Sequence, residues 1–232
     1  MDMPEEINRI LTDRISNYLF CPTQTAVDNL KKEGYNNINS QIHNVGDVMY
    51  DAAMYYSKIS SNKATLYPSL NLTTNNYVLC TIHRQENTDN KERLKSIINA
   101  LNEINKQLPI ICPLHPRTRN ILAKSNITTE FKIIDPVGYF DMVELIKNSR
   151  LVMTDSGGLQ KEAYFFNKYC ITLRDETEWV ELVNNNFNTI VGANNKNIIN
   201  AFDKIKNKIL KSNIKLYGDG NASNKIVNII SK

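Results

Sequence analysis

From residue 77 onward, short apolar runs alternate with longer stretches whose apolar residues recur every three or four positions. Residues 77–82 form the first run. Leu94, Ile97, Ile98, Leu101 and Ile104 then mark one face of a helix. The unit repeats. Strands are predicted at 109–114, 131–134, 151–154, 169–173 and 189–191. The intervening helices fall at 116–123, 139–148, 158–167, 178–184 and 195–210, the last with Ile198, Ile199, Phe202, Ile205 and Ile209 on one face. Apolar runs of this length, alternating with amphipathic helices, predict an α/β fold: a doubly wound parallel sheet covered on both faces. In such sheets ligands bind beyond the carboxyl ends of the strands, so the polar residues after each strand are the candidates for chemistry.

Residues 1–66 read differently. Helices are predicted at 5–18, 25–33 and 47–57, with strands at 19–21 and 41–45 only. Two strands are too few for an independent α/β domain, which predicts that residues 1–66 are the end of a domain whose beginning lies outside the sequence. Residues 60–75, rich in Ser, Asn and Thr around Pro68, look like a linker. A second domain is expected over 67–211. Residues 212–232, with a Gly-Asp-Gly turn, are expected to form a separate tail helix.

Composition narrows the class. The chain has 232 residues, 41% hydrophobic and 22% charged, which suits a globular protein with a real core. Its net charge of +4 comes from basic and acidic residues mixed along the chain, so no nucleic-acid partner is expected. No apolar stretch approaches the roughly 18 residues of a membrane span, and no membrane association is expected. Cys21, Cys80, Cys112 and Cys170 lie far apart, in or beside apolar runs. They predict buried free thiols in a reducing, cytoplasmic compartment rather than disulfides or a zinc site. The Asn-x-Ser/Thr triplets at Asn71, Asn126 and Asn221 are read as chance matches in an Asn-rich chain.

The most informative polar stretch runs from Asp155 to Glu162, directly after the 151–154 strand. Gly157 and Gly158 would let the backbone approach a ligand closely. The free N–H groups at the start of a helix would favour a phosphate, and Glu162, one turn on, could accept hydrogen bonds from ribose hydroxyls. An ordinary strand-to-helix turn capped by Asp155 or Ser156 would look the same. His83 and Arg84, after the 77–82 strand, suit a proton shuttle and a diphosphate contact, or else a loop histidine bonded to its neighbours. His115, Arg117 and Arg119 occupy the equivalent place after the next strand. Arg174 to Trp179 place acids beside the only Trp, consistent either with sugar or base recognition or with a capping box at Thr177. Glu5 and Glu6 follow Pro4, where acids complement a helix dipole. HExxH, Walker, GxGxxG and CxxC patterns are absent, which leaves metal hydrolase, P-loop and dinucleotide classes without support.

The ordered runs P-E-E-I-N-R, H-R-Q-E-N-T-D, P-L-H-P-R-T, D-S-G-G-L-Q-K-E-A and R-D-E-T-E-W-V-E resemble the non-hydrolysing UDP-N-acetylglucosamine 2-epimerases, across essentially the whole chain. The resemblance implies a Rossmann-like, GT-B-type architecture with UDP-sugar in an interdomain cleft. It also implies inversion at C2 of a UDP-HexNAc by elimination and re-addition of UDP, without metal or other cofactor. Ser156, Gly157 and Gly158 would hold the diphosphate and Glu162 the ribose. His83 would assist UDP departure, Glu5 would be a catalytic carboxylate, and Arg84, Arg174 and Trp179 would contact substrate. Family members are typically well over 300 residues, with the catalytic base in an N-terminal domain that is largely missing here. A homodimer, or a separate chain supplying that domain, is the implied partner. A catalytically silent UDP-sugar-binding module, half of a split epimerase and a GT-B glycosyltransferase are the alternatives. Leu114-His115-Pro116-Arg117-Thr118 and Thr177-Glu178-Trp179-Val180 resemble the branch acting on modified sugars such as UDP-2,3-diacetamido-glucuronate, and the first of these puts the allosteric substrate site of some relatives in doubt.

Overall fold

The computed structural model describes residues 4–211 and 213–231, the side chains of Pro4 and Glu5 excepted. Two compact units are present: residues 1–54 with 213–232, and residues 55–212.

The larger unit holds six strands, β3 (Val78–Thr81), β4 (Ile110–Pro113), β5 (Lys132–Ile134), β6 (Leu151–Thr154), β7 (Cys170–Thr172) and β8 (Asn188–Ile190). All pair in parallel in the order β5-β4-β3-β6-β7-β8. Counted from β3, that is 3-2-1-4-5-6, the doubly wound order, and its switch point falls between β3 and β6. The β-branched and apolar runs are buried on both faces in β3, β4, β6 and β7, whereas edge strands β5 and β8 each expose a residue. Alternation along the strands sorts the side chains. Val78, Cys80, Leu151 and Met153 pack under the helices Lys91–Asn105 (α6) and Asn195–Ile205 (α11). Tyr77, Leu79 and Val152 face Tyr139–Asn148 (α8) and Gly157–Phe165 (α9). All four cysteines are buried.

Three loops after helices share one device. Asn126, Asn167 and Asn186 each adopt a left-handed backbone, with φ of 53°, 56° and 59°. The next residue's N–H reaches back five positions: Ile127 to Leu122, Lys168 to Ala163 and Phe187 to Leu182. These are Schellman terminations, with Asn in the place glycine usually takes. Two of the chain's Asn-x-Ser/Thr triplets, at Asn71 and Asn126, sit on such left-handed residues.

The segment expected to be a linker is instead strapped onto α8. Ser60 is buried against the Glu144 carboxylate. The Asp141 carboxylate accepts the N–H groups of Leu66 and Tyr67, both at 2.8 Å, and Leu70 joins the core. The unit boundary therefore falls at residue 54 rather than 66. Helix α11 ends at Ile205, short of 210, and leaves Ile209 exposed instead of on the packed face.

The smaller unit contains α1 (Pro4–Ile15), β1 (Tyr18–Cys21), α2 (Gln24–Lys32) and β2 (Gln41–Asn44), with β1 and β2 parallel. The residues expected to form a separate tail belong here. Asp51 caps the last helix, α12 (Ala222–Ile230), through Ala222 N–H and the Ser223 N–H and hydroxyl. Nearby, a Cβ on Gly218 (φ 88°) would come within 2.9 Å of the Gly46 Cα, so this backbone crossing requires glycine. Among the described residues no helix is long and apolar enough to cross a membrane.

Candidate active site

A cavity of about 410 Å³ opens at the carboxyl ends of the strands in the larger unit, at the switch point. Thr81, Ile82 and His83 line it at the end of β3, Pro113 and His115 at the end of β4, and Pro136 and Val137 after β5. Ser156, Gly158, Leu159 and Glu162 come from α9, and Met142 from α8.

The α9 end of the cavity has features that suit an anion. Ser156 occupies the N-cap position in an extended conformation, yet among the described residues no side chain caps the helix. The Ser156 N–H donates instead to Thr154 Oγ1 (2.9 Å), which shares a 2.6 Å hydrogen bond with Thr81 Oγ1 across the β3–β6 seam. First-turn N–H groups of a helix have no intrahelical acceptor, and together with the macrodipole they favour negative charge.

Glu162 is half-buried one turn along. Burial pushes its carboxyl above the usual carboxylate range, against the opposing pull of Lys161. Tyr139, at the start of α8, is likewise pushed up, first by burial and then by Glu162 and Tyr56. Tyr56 meets Tyr139 and Phe140 edge-on, with ring centroids 5.7 and 5.9 Å away.

Asp155 follows β6 and is fully buried. It does not cap α9. Its carboxylate accepts the N–H groups of His83 (3.0 Å) and Arg84 (3.0 Å) and the Asn87 amide (3.2 Å), and it lies 3.3 Å from His83 Nδ1. The His83 ring remains half-exposed toward the cavity. Across the cavity His115 caps the helix Pro116–Lys124 (α7), its Nδ1 accepting the Arg117 N–H at 3.2 Å.

Of the residues singled out from sequence, the structure gathers His83, Ser156, Gly158 and Glu162 around one cavity, with Gly157 beside it. Arg84, Arg174 and Trp179 do not line it. Arg84 enters through its backbone N–H on Asp155. Arg174 is 5% exposed and bonds Glu178 at 2.7 Å. The Glu178 carboxylate lies where a side chain on Gly157 would begin, which explains a glycine there. Trp179 donates its indole N–H to the Gly157 carbonyl (2.9 Å), and Lys161 sits 4.3 Å over its ring. These residues brace the start of α9 from behind. Thr177 does not open a capping box; it accepts the Trp179 N–H and donates to Gln160. The Glu5 side chain lies outside the described residues. Asp155 and Asn87 were not singled out as site residues. The only local signal at Asp155, an acid directly after a strand, is indistinguishable from a cap, and Asn87 carries none.

No cluster of three metal-ligating side chains occurs among the described residues.

The sequence profile described as UDP-N-acetylglucosamine 2-epimerase matches residues 1–231. The chain is 47% identical over 233 residues to the UDP-2,3-diacetamido-2,3-dideoxy-D-glucuronate 2-epimerase of Pseudomonas aeruginosa, covering 100% of this chain and 64% of that protein. Among solved structures, the UDP-GlcNAc 2-epimerase of Methanocaldococcus jannaschii in complex with UDP-GlcNAc and UDP matches with a TM-score of 0.87 at 41% identity, over 99% of this chain and 65% of that one. The Neisseria meningitidis enzyme bound to UDP-GlcNAc matches with a TM-score of 0.83 at 30% identity, over 98% and 65%. The chain thus spans about 64% of the length of the curated relatives it matches. With the profile running from the first residue to the last but one, the chain belongs to the UDP-N-acetylglucosamine 2-epimerase family.

Proposed function

We propose that this chain carries the UDP-binding part of a UDP-sugar 2-epimerase, an isomerase that inverts C2 of a UDP-N-acetylhexosamine by eliminating and re-adding UDP. The observation that carries the proposal is the uncapped start of α9 opening into a cavity that also holds His83 and Glu162. The diphosphate sits at Ser156, Gly157 and Gly158, on the N–H groups of the two glycines and the Ser156 hydroxyl, where helix polarity offsets its charge. Glu162, already desolvated, accepts the ribose hydroxyls. His83 meets the diphosphate oxygen on which charge develops as the C1–O bond breaks, and a donor placed there lowers the barrier most. Glu5 is one of the catalytic carboxylates of the reaction. The likeness to the Pseudomonas aeruginosa protein favours a modified sugar such as a diacetamido-uronate. The setting is cytoplasmic nucleotide-sugar metabolism, and the active assembly is a homodimer or includes a separate chain with the remaining family domain.

Because the chain spans about 64% of its relatives, a second reading is a module that binds UDP-sugar without turning it over. Proton NMR in deuterated water with UDP-N-acetylglucosamine, and then with UDP-2,3-diacetamido-glucuronate, separates the two. Loss of the C2 proton signal supports the epimerase. Broadened uridine signals without exchange support the binding module. With neither sugar showing either change, both readings fall. In His83→Gln, C2 exchange is expected to drop at least about 100-fold, the contribution of a positioned acid.

A further inference from the structure

The geometry points to Asp155 as a positioning residue that fixes the tautomer of His83. The Asp155 carboxylate accepts from two backbone N–H groups and the Asn87 amide, and a carboxylate can only accept; His83 Nδ1 lies 3.3 Å from its second oxygen. Asn87 is itself fully buried and held from two further sides. It donates to the Leu173 carbonyl (2.8 Å) and accepts from Arg93 Nε (3.3 Å), which points its NH₂ toward Asp155 rather than its oxygen. The carboxylate therefore cannot turn away without abandoning three bonds at once, and a buried acceptor left without its donors is costly.

His83 Nδ1 must accordingly carry a hydrogen, and Nε2 is left as the atom free to exchange a proton in the cavity. His115 is held the opposite way. Its Nδ1 accepts the Arg117 N–H, so Nε2 carries the hydrogen. The two histidines thus offer the cavity one acceptor and one donor from the same ring position. In the proposed reaction, on which this role rests, the Nδ1–H···Asp155 contact steadies the imidazolium while Nε2–H faces the departing diphosphate. Asp155 itself touches no substrate atom.

The chain contains only three histidines, so the test is long-range proton–nitrogen NMR of the full chain, without ligand, at alkaline pH. His83 is assigned by the signal missing from His83→Gln. The expected result is an Nδ1–H tautomer for His83 and an Nε2–H tautomer for His115. In Asp155→Asn the amide oxygen stays with the backbone donors and the new NH₂ meets Nδ1. His83 then switches to Nε2–H, the fate of a histidine whose orienting carboxylate becomes an amide. An Nε2–H His83 in the unsubstituted chain overturns the inference, and so does a folded Asp155→Asn that keeps Nδ1–H. If Asp155→Asn does not fold, the unsubstituted chain's tautomer decides alone. With no ligand present, the outcome is independent of whether UDP-sugar binds.

Discussion

The two parallel sheets of this molecule solve the same packing problem to different degrees. In the six-stranded sheet, β3, β4 and β6 are buried on both faces by apolar helices. In the two-stranded sheet, Leu19 and Cys21 pack with Val27, Leu30 and Tyr35 on one face. The other carries Tyr18, Phe20 and His43, stacked at 5.8 to 6.2 Å. Helix α1 shows Ile7, Leu11 and Ile15 to solvent, the last 86% exposed. Charge fastens it instead: Arg9 reaches Glu6, Asp13 and Glu33, and these carboxylates raise the guanidinium's already high affinity for its proton. The larger unit is held by burial, which salt barely touches. The smaller unit depends partly on half-exposed ion pairs, which salt screens.

The strongest way to break this comparison is through the cores. Ile98→Ala, at a fully buried position, should cost about 2–5 kcal/mol in urea unfolding followed by Trp179 fluorescence. Leu30→Ala should leave that transition in place and speed amide hydrogen exchange only within 24–32. Equal shifts from both would mean that the two units unfold as one.

Helix endings sharpen it at smaller scale. The larger unit ends helices with left-handed Asn, whereas α2 is followed by Gly34 at φ 87°. Asn167→Ala should lose up to about 1 kcal/mol, because alanine keeps the Cβ that a left-handed backbone crowds but lacks the short polar side chain that lets Asn tolerate it. Asn167→Gly should be close to neutral in the same thermal melt. A neutral Asn167→Ala would show that this turn relaxes.

The smallest effect separates charge from burial directly. Arg9→Met should weaken α1 by roughly 0.2–1 kcal/mol per lost pair at low salt, and the difference from the unsubstituted chain should vanish in about 1 M salt. Amide exchange along α1 reads this. A deficit that persists at high salt would assign the Arg9 contribution to packing of its aliphatic stem.

What could be read from the sequence follows the range of the interaction concerned. Helix 139–148 and strand 151–154 were legible to the residue because their apolar periodicity is local. The glycine-rich turn at Ser156 and the histidine after β3 were legible because strand ends in this fold face the ligand. The strap at 60–70 and the place of α12 were not. Asp141 meets Leu66 across 75 positions and Asp51 meets Ser223 across 172, and composition nearby says only Ser, Asn and Gly. Asp155 was hidden for the same reason. Its donors lie 68 to 72 residues away, and locally it reads as one more polar residue before a helix.

The seam between β3 and β6 has a kinetic meaning as well. It joins Val78 to Leu151, 73 residues on, whereas β3 meets β4 after only 32. Closing the longer loop costs roughly 0.7 kcal/mol more chain entropy. Each half of the sheet can therefore nucleate on near neighbours before the halves dock, and the start of α9 reaches His83 only at docking. On a ribosome, the cavity would assemble only with the sixth strand of the chain, well after the first half of the larger sheet has paired.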